Sequence, residues 1–187
     1  MSASSISTIA KTVIKSINEG DTLTAVSLPA STFHENTVKL ASVLLGKKLG
    51  GIYVTTSRPS SHITAELEAA KADLSDLYFV DLVSMTVGGN TSDPRTLFIE
   101  SPTMLESILL NITLLERRLK AKRRFVMFDS VNGLSIYSEP KGLREFINVL
   151  GNSMRIKEIY SMLMTVTEQT DEDLNSALDL LSDKIIR

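Results

Sequence analysis

Two junctions between a short apolar run and a following polar segment carry the side chains that could do chemistry. The run FVMF at 125–128 is followed at once by Asp129 and Ser130. A buried strand that ends in an acid delivers a carboxylate to the edge of a sheet, where it can hold Mg²⁺ beside a phosphate. A turn-forming Asp-Ser pair fits the same residues equally well. The segment is therefore a candidate magnesium site, with an ordinary turn as the alternative.

The second junction runs from Pro29 to Glu35 after the apolar run 23–28. A phosphate-binding loop here would have the pattern GxxxxGK[ST], because glycines let the backbone wrap the phosphates and the lysine reaches their outer oxygens. The segment has no glycine, and His34 or Glu35 stands where the lysine is expected. We expect an ordinary loop in which Ser31 or Thr32 caps the next helix, with His34 at the surface. Contact with another ligand or a protein partner is the alternative.

Composition restricts the other kinds of site. The chain has 187 residues, 43% hydrophobic and 22% charged, which are values of a globular domain. It has no cysteine, and His34 and His62 lack the spacing of a zinc site, so we expect no metal site of that kind. Lys and Arg total 20 against 22 for Asp and Glu, which gives no net field toward nucleic acid or membranes. The stretch 1–9 resembles no secretory signal, and we expect a cytoplasmic protein without a membrane span.

Two apolar periodicities alternate along the chain and predict alternating helices and strands. Strands joined by helices give right-handed crossovers and a mostly parallel sheet that is covered on both faces. We therefore predict a three-layer α/β fold, doubly wound or RecA-like, formed as one domain over residues 1–187. The predicted strands are 23–28, 52–56, 77–83, 96–99, 125–128, 160–166 and 184–187, and the predicted helices lie in 6–17, 38–45, 59–70, 101–119, 143–154 and 174–181.

One stretch is strongly basic. The helix expected to begin with Ser101 as N-cap and Pro102 in its first turn ends in Arg117–Arg124, where six of eight residues are Lys or Arg. Cations suit the last turn of a helix because of its dipole. No aromatic residues interleave with them, as single-stranded nucleic acid prefers. We expect a solvated helix end and no nucleic-acid site, and a DNA-associated role remains the alternative.

The order of the segments adds a family resemblance. The stretch FVMFDSVNGLSIY with the helix LREFINVL resembles the Walker B segment and following helix of the KaiC-like branch of RecA-type ATPases, a group found widely in archaea. GDTLTAVSLP, GGIYVTT and DLSDLYFVDLVS resemble the first three strands of that family, and NSALDLLSDKIIR resembles its last conserved stretch. The resemblance runs through nearly the whole chain and implies a RecA-like fold.

The resemblance also implies what this sequence lacks. Members usually carry a pair of glutamates after the second strand, one of which polarises the attacking water, whereas this chain has Ser57 and Arg58 there. An arginine cannot act as that base. Of the family's catalytic set only Asp129 and Ser130 remain. Gln169 stands where such proteins place a residue that senses the nucleotide, but we expect the segment around it to be a solvated loop.

These observations lead to one expectation and two alternatives. We expect a pseudo-ATPase: a regulatory or structural module without catalytic residues or cofactor, acting through contacts with a protein partner or with itself. The first alternative is a nucleotide-binding protein or weak ATPase that holds ATP and Mg²⁺ with Ser31, Thr32 and Asp129. The second is the DNA-associated protein that would use the basic stretch.

Overall fold

The computed structural model describes residues 3–89, 91–100 and 105–187. Its strands are β1 (Leu23–Leu28), β2 (Gly50–Thr55), β3 (Leu77–Asp81), β4 (Thr96–Phe98), β5 (Arg124–Asp129), β6 (Tyr160–Val166) and β7 (Lys184–Ile186). Its helices are α1 (Ala3–Glu19), α2 (Phe33–Gly46), α3 (Ser60–Ala69), α4 (Leu105–Glu116), α5 (Val131–Ser135), α6 (Pro140–Ile156) and α7 (Glu172–Leu181). Short 3₁₀ turns lie at Ala30–Thr32 and Thr167–Gln169.

The strands form one sheet in the order β4-β3-β2-β5-β6-β1-β7, and every pair is parallel. Helices cover both faces, which confirms the predicted three-layer, RecA-like α/β/α architecture. Strand β6 lies between β1 and β5, so the two junctions singled out in the sequence belong to strands that are not neighbours.

The core consists of two layers, one on each face of the sheet. Helices α1, α2 and α3 bury their apolar stripes on one face together with alternate strand residues such as Met127. Helices α4, α5, α6 and α7 do so on the other face with the intervening residues, such as Phe128. Helix α1 packs on its own sheet, with Ile6, Ile9 and Val13 in the first layer. The strands are buried on both faces, as their continuous apolar runs predicted.

Three differences from the predictions change the surroundings of the strand ends. Helix α4 ends at Glu116, so the basic residues that were expected in its last turn follow the helix. The Asp76 carboxylate accepts the backbone N–H groups of Lys120 and Ala121, which holds this segment in a turn. Strand β3 ends at Asp81 because its carboxylate accepts the N–H of Val83 and redirects the chain.

The third difference is helix α5, which follows Asp129 and Ser130 where only a turn was expected. The predicted helix start at Ser101 and Pro102 lies outside the described residues. No helix in the described part of the chain is long and apolar enough to cross a membrane.

Candidate functional site

The carboxyl ends of the strands meet at one edge of the sheet, where parallel α/β proteins bind ligands. Thr55 of β2 is in register with Asp81 on one side and with Asp129 on the other. Leu28 of β1 is in register with Val166 of β6. Since neighbouring strands lie about 4.8 Å apart, the ends of β1 and β5 are separated by about 10 Å. The two candidate junctions therefore share an edge, with the end of β6 between them.

Asp129 is completely buried at this edge. Its Oδ2 accepts a hydrogen bond of 2.7 Å from the hydroxyl of Tyr53, and its Oδ1 accepts one of 3.1 Å from the hydroxyl of Ser57. Both oxygens are thus bonded to the protein itself. A carboxylate that holds Mg²⁺ must present an oxygen to the ion and to its waters, and Asp129 presents none to solvent.

The Tyr53 phenol is the inner partner of this pair. Burial raises its pKa well above the ordinary tyrosine value, and the charge of Asp129 and the hydrogen bond to it raise it further. The hydroxyl therefore keeps its proton and acts as a fixed donor. Arg58 opposes part of this shift through its positive charge. The arrangement stabilises a buried carboxylate and offers no group ready to transfer a proton.

The backbone beyond Asp129 is held by Thr56. The hydroxyl of Thr56 donates to the carbonyl of Ser130 at 2.7 Å and accepts the Ser130 N–H at 2.9 Å. The Thr56 N–H donates to the carbonyl of Asp129 at 2.8 Å. Ser130 is itself buried, and the Asp129–Ser130 peptide bond is cis. Asp129 and Ser130 are therefore built into a closed strand-end junction.

The loop after β1 forms a 3₁₀ turn that leads directly into α2. Thr32 occupies the N-cap position of α2, as expected, but its side chain makes no capping hydrogen bond. Its ψ of 6° lies outside the extended region that an N-cap residue normally adopts, so the hydroxyl does not reach the free N–H groups. Of the two predicted caps, Ser31 or Thr32, it is Thr32 that stands at the N-cap, and it does not cap the helix with its side chain. The 3₁₀ turn instead pairs the N–H of Phe33 with the carbonyl of Ala30.

The other candidate residues of this loop are peripheral. Ser31, His34 and Glu35 are exposed, which confirms the surface position predicted for His34, and Pro29 is partly buried. Glu35 pairs with Lys39 one turn along α2, and the hydrogen bond and charge of that lysine lower the pKa of the carboxyl.

Glu168 provides a contact that the sequence did not suggest. Its carboxylate accepts the backbone N–H of Ala30 at 2.9 Å, and the neighbouring hydroxyls of Thr167 and Ser27 lie 2.9 Å apart. A backbone N–H in a loop before a helix is the kind of group that binds phosphate oxygens. Here a carboxylate of the same chain already occupies it. The Glu168–Gln169 segment is exposed, as predicted.

Arg58 is directed away from the edge, toward helix α3. Its Nη1 donates to Glu66 at 2.6 Å, and its carbonyl accepts the hydroxyl of Thr55. The Nε and Nη2 atoms are buried without a hydrogen-bond partner among the described residues. The guanidinium therefore packs between β2 and α3, where it has no proton-accepting role.

Asp81 is the second buried acid of the edge, and it is saturated with donors. Its Oδ1 accepts the N–H groups of Val83 and Ser84, and its Oδ2 accepts the Ser60 N–H and the Ser84 hydroxyl, at 2.7 or 2.8 Å. Burial by itself would raise the pKa of this carboxyl, but the hydrogen bonds from Ser60 and Ser84 outweigh burial and lower it. Asp81 thus caps helix α3 and stays ionised.

Open space at this edge lies, among other places, beside β1. A cleft of about 550 Å³ is lined by Ser27, Pro29, Thr167, Thr170, Asn175 and Arg187. Arg187 is already paired with Asp179 at 2.7 Å. Asp129 does not line this cleft. Among the described residues no group of three or more His, Asp or Glu side chains is placed to hold a metal ion.

Sequence reasoning missed Tyr53, Thr56, Asp81 and Glu168. Tyr53 was assigned to a strand, but a single strand does not reveal which neighbour its hydroxyl will meet. Glu168 lies 138 residues from Ala30, and no local sequence pattern predicts their contact. Of these four residues, Asp81 offered the only local signal of its bonding partners, because Ser84, which donates to it, follows three residues later.

No protein-family model matches this chain, and no curated protein is significantly similar to it.

Proposed function

We propose that the protein is a pseudo-ATPase: a non-catalytic RecA-like module that acts through protein–protein contacts. The observation that carries this proposal is the state of Asp129. Its carboxylate is fully buried and hydrogen-bonded by Tyr53 and Ser57. Coordination of Mg²⁺ would require breaking at least one of these bonds and opening the junction that Thr56 closes.

The loop after β1 supports the same proposal. It has no glycine to bring the backbone close to a triphosphate and no lysine to hold the outer phosphates. The Ala30 N–H is engaged by Glu168. A phosphate charge about 4 Å from that carboxylate would be opposed by about 4 kcal/mol at an effective dielectric of 20, and by less where solvent screens the pair.

The missing base is the third line of support. Ser57 donates to Asp129, and Arg58 pairs with Glu66, so neither side chain after β2 is available to polarise a water molecule. The three features lie at the ends of three separate strands, β5, β1 and β2. They oppose metal binding, phosphate binding and activation of water, respectively.

A module that works through protein contacts needs exposed apolar surface. Helix α4 exposes Leu110 and Leu114, and helix α6 exposes Val149. A cleft of about 270 Å³ between the two helices is lined by the partly or fully buried Leu105, Leu109 and Phe146. Apolar side chains grouped in this way are typical of contact surfaces.

Calorimetric titration with ATP and with ADP, each with Mg²⁺, tests the loss of nucleotide binding. We expect no heat beyond dilution. Micromolar binding that is lost in Asp129→Ala and kept in Glu145→Gln, a control at an exposed acid of α6, would overturn the proposal and support a nucleotide-binding protein with a variant loop. ATP turnover abolished by Asp129→Ala would have the same meaning.

Light scattering addresses the contact role. If the module self-associates, we expect a mass above that of one chain, falling to one chain in the double variant Leu110→Gln/Leu114→Gln. The matched control is Leu180→Gln, which changes an exposed leucine on α7. A wild-type mass of one chain would point to a different protein as the partner.

A further inference from the structure

The opposite edge of the sheet, at the amino ends of the strands, carries a second surface that the carboxyl-edge site does not use. Its exposed cations come from the loops between α2 and β2, between α3 and β3, and between α4 and β5, and we call them the basic edge. They are Lys47, Lys48, Lys71, Arg117, Arg118, Lys120, Lys122 and Arg123.

We propose that the basic edge binds the phosphate backbone of duplex nucleic acid without reading its sequence. In the linear chain only the stretch at 117–124 looked basic, and it was expected to be a helix end. The fold changes this picture, because helix α4 ends before these residues and because strands β3, β2 and β5 are neighbours in the sheet. Three separate loops therefore contribute to one positive surface.

The three loops are held together by specific contacts. The Gly50 N–H donates to the carbonyl of Arg123 at 3.0 Å, and the Gly51 N–H donates to the carbonyl of Asp76 at 2.9 Å. The Asp76 carboxylate in turn accepts the N–H groups of Lys120 and Ala121. A Cβ at Gly50 would come within 2.3 Å of this carboxylate, so glycine is required for the carboxylate to pass β2 and hold the basic loop.

The cations of this surface make no ion pair within the described residues, although Arg118 donates to the carbonyl of Pro94 and Arg123 to the side chain of Asn18. No described carboxylate forms an ion pair with any cation of the basic edge, although eight ion pairs exist elsewhere in the described residues. Two of the nearby acids are engaged by other partners: Asp76 by backbone N–H groups, and Glu116 by Arg124 and Lys157. On the β6 side, Asp21 and exposed Glu158 line one cleft together with Lys122 and Arg123, so two carboxylates border the surface there.

Two of these exposed lysines lie at tight turns with positive φ. Lys48 and Lys71 have φ values of 59° and 57°, a region that glycine or asparagine usually occupies at the end of a helix. The helix dipole favours a cation near each helix end, but it does not account for several unpaired cations on adjacent loops.

The type of partner follows from what the three loops lack. None of the large exposed apolar side chains lies in them. A protein interface or a membrane contact normally needs such anchors, whereas phosphate binding needs only mobile cations. Among the described residues, the large exposed aromatic side chain is Tyr137, which lies beyond α5 at the other edge of the sheet. The basic edge therefore has no aromatic ring on which single-stranded bases could stack. The three adjacent strands β3, β2 and β5 span about 10 Å, which is comparable with the roughly 12 Å width of the major groove of a duplex.

Fluorescence anisotropy with a labelled duplex of about 20 base pairs tests the proposal. The titration contains no added nucleotide, so its result is independent of whether the carboxyl edge binds ATP. We expect the logarithm of the binding constant to fall linearly with the logarithm of the salt concentration. The slope should be about −0.9 per phosphate contact, or roughly −4 for four to five contacts. The variant Lys47→Gln/Lys48→Asn/Lys71→Asn/Lys122→Gln should bind at least tenfold more weakly and with a shallower slope. Asparagine is chosen at the two positions with positive φ because it tolerates that conformation.

The matched control removes the same charge elsewhere, in Lys11→Gln/Lys39→Gln/Lys141→Gln/Arg144→Gln, and should bind like the wild type. The double variant Lys47→Gln/Lys122→Gln avoids both strained positions and should show an intermediate loss if the quadruple variant fails to fold. No binding at 50 mM salt, an equal loss in the control, or tighter binding to vesicles of anionic lipid or to polyglutamate would overturn the proposal.

Discussion

The hydroxyl of Tyr53 donates a hydrogen bond of 2.7 Å to Oδ2 of Asp129, and both residues are fully buried. Tyr53 lies in β2 and Asp129 ends the adjacent strand β5. The bond neutralises part of the cost of burying a carboxylate and fixes its orientation. An acid that could have faced a ligand is thereby turned into a structural element of the sheet edge.

Replacement of Tyr53 by phenylalanine tests this structural role. We expect Tyr53→Phe to lower the free energy of unfolding by about 1–3 kcal/mol, because a buried carboxylate loses a donor. Urea denaturation measures the change. Tyr78→Phe is the control, because Tyr78 lies on the adjacent strand β3, is partly exposed, and its hydroxyl does not bond to Asp129. Equal losses in the two variants would show that the bond to Asp129 contributes nothing of its own.

Asp81 predicts how stability depends on pH. Its pKa in the folded protein is lowered, so the unfolded chain binds more protons as the pH falls. The stability that Asp81 provides is complete above the unfolded pKa of about 3.9, and it is lost as the pH falls from there through the lower folded value. We expect wild-type stability to drop over that range more steeply than that of Asp81→Asn.

At neutral pH the same variant should be less stable by about 1–3 kcal/mol, because the asparagine NH₂ group faces N–H donors where the wild type has an acceptor. Urea titrations at several pH values measure both effects. Glu145→Gln, at an exposed position of α6, should follow the wild-type curve. Parallel curves for the wild type and Asp81→Asn would contradict the assignment.

Gly133 and Gly142 form a matched pair of helix glycines. A Cβ at Gly133 would lie 2.2 Å from the Thr56 hydroxyl that holds Ser130, whereas a Cβ at Gly142 would meet nothing within 4 Å. We expect Gly133→Ala to destabilise the protein by about 1–3 kcal/mol through overpacking. Gly142→Ala should stabilise it by up to about 1 kcal/mol, since alanine favours the helix. Thermal denaturation compares them, and a stabilising Gly133→Ala would mean that α5 can move away from Thr56 without loss.

Asp183 fastens the start of β1. Its Oδ2 accepts the N–H groups of Thr22 and Leu23 at 2.9 Å, and its Oδ1 accepts Arg155 at 2.8 Å. Burial would raise the pKa of this carboxyl, but these bonds lower it. We expect Asp183→Ala to cost about 1–3 kcal/mol of unfolding free energy.

Asp179→Ala breaks the exposed ion pair with Arg187 and should cost less than about 1 kcal/mol. Chemical denaturation of both variants measures the difference. A loss in Asp183→Ala no larger than that in Asp179→Ala would show that the N–H groups at the start of β1 are satisfied equally well by water.

The amino-acid sequence by itself determined the alternation of elements and the parallel sheet. Strands β1 and β6 have the predicted bounds because continuous apolar runs bounded by polar residues are local signals. The lack of a glycine and a lysine after β1 is equally local, since the conformational freedom of a loop and the charge it carries depend on its own residues. The end of α4 was not predictable, because the Asp76 carboxylate that turns the chain there lies about 44 residues away.

Only the tertiary structure decided which side chains meet. Tyr53 and Asp129 are 76 residues apart, and Ala30 and Glu168 are 138 apart. Their contacts exist because the crossovers place β2 beside β5 and β1 beside β6, a choice made by the packing of the whole sheet. The basic edge arises in the same way, from loops that are distant in the chain. Periodicity assigns each residue to a strand or a helix, but the strand order decides its neighbours.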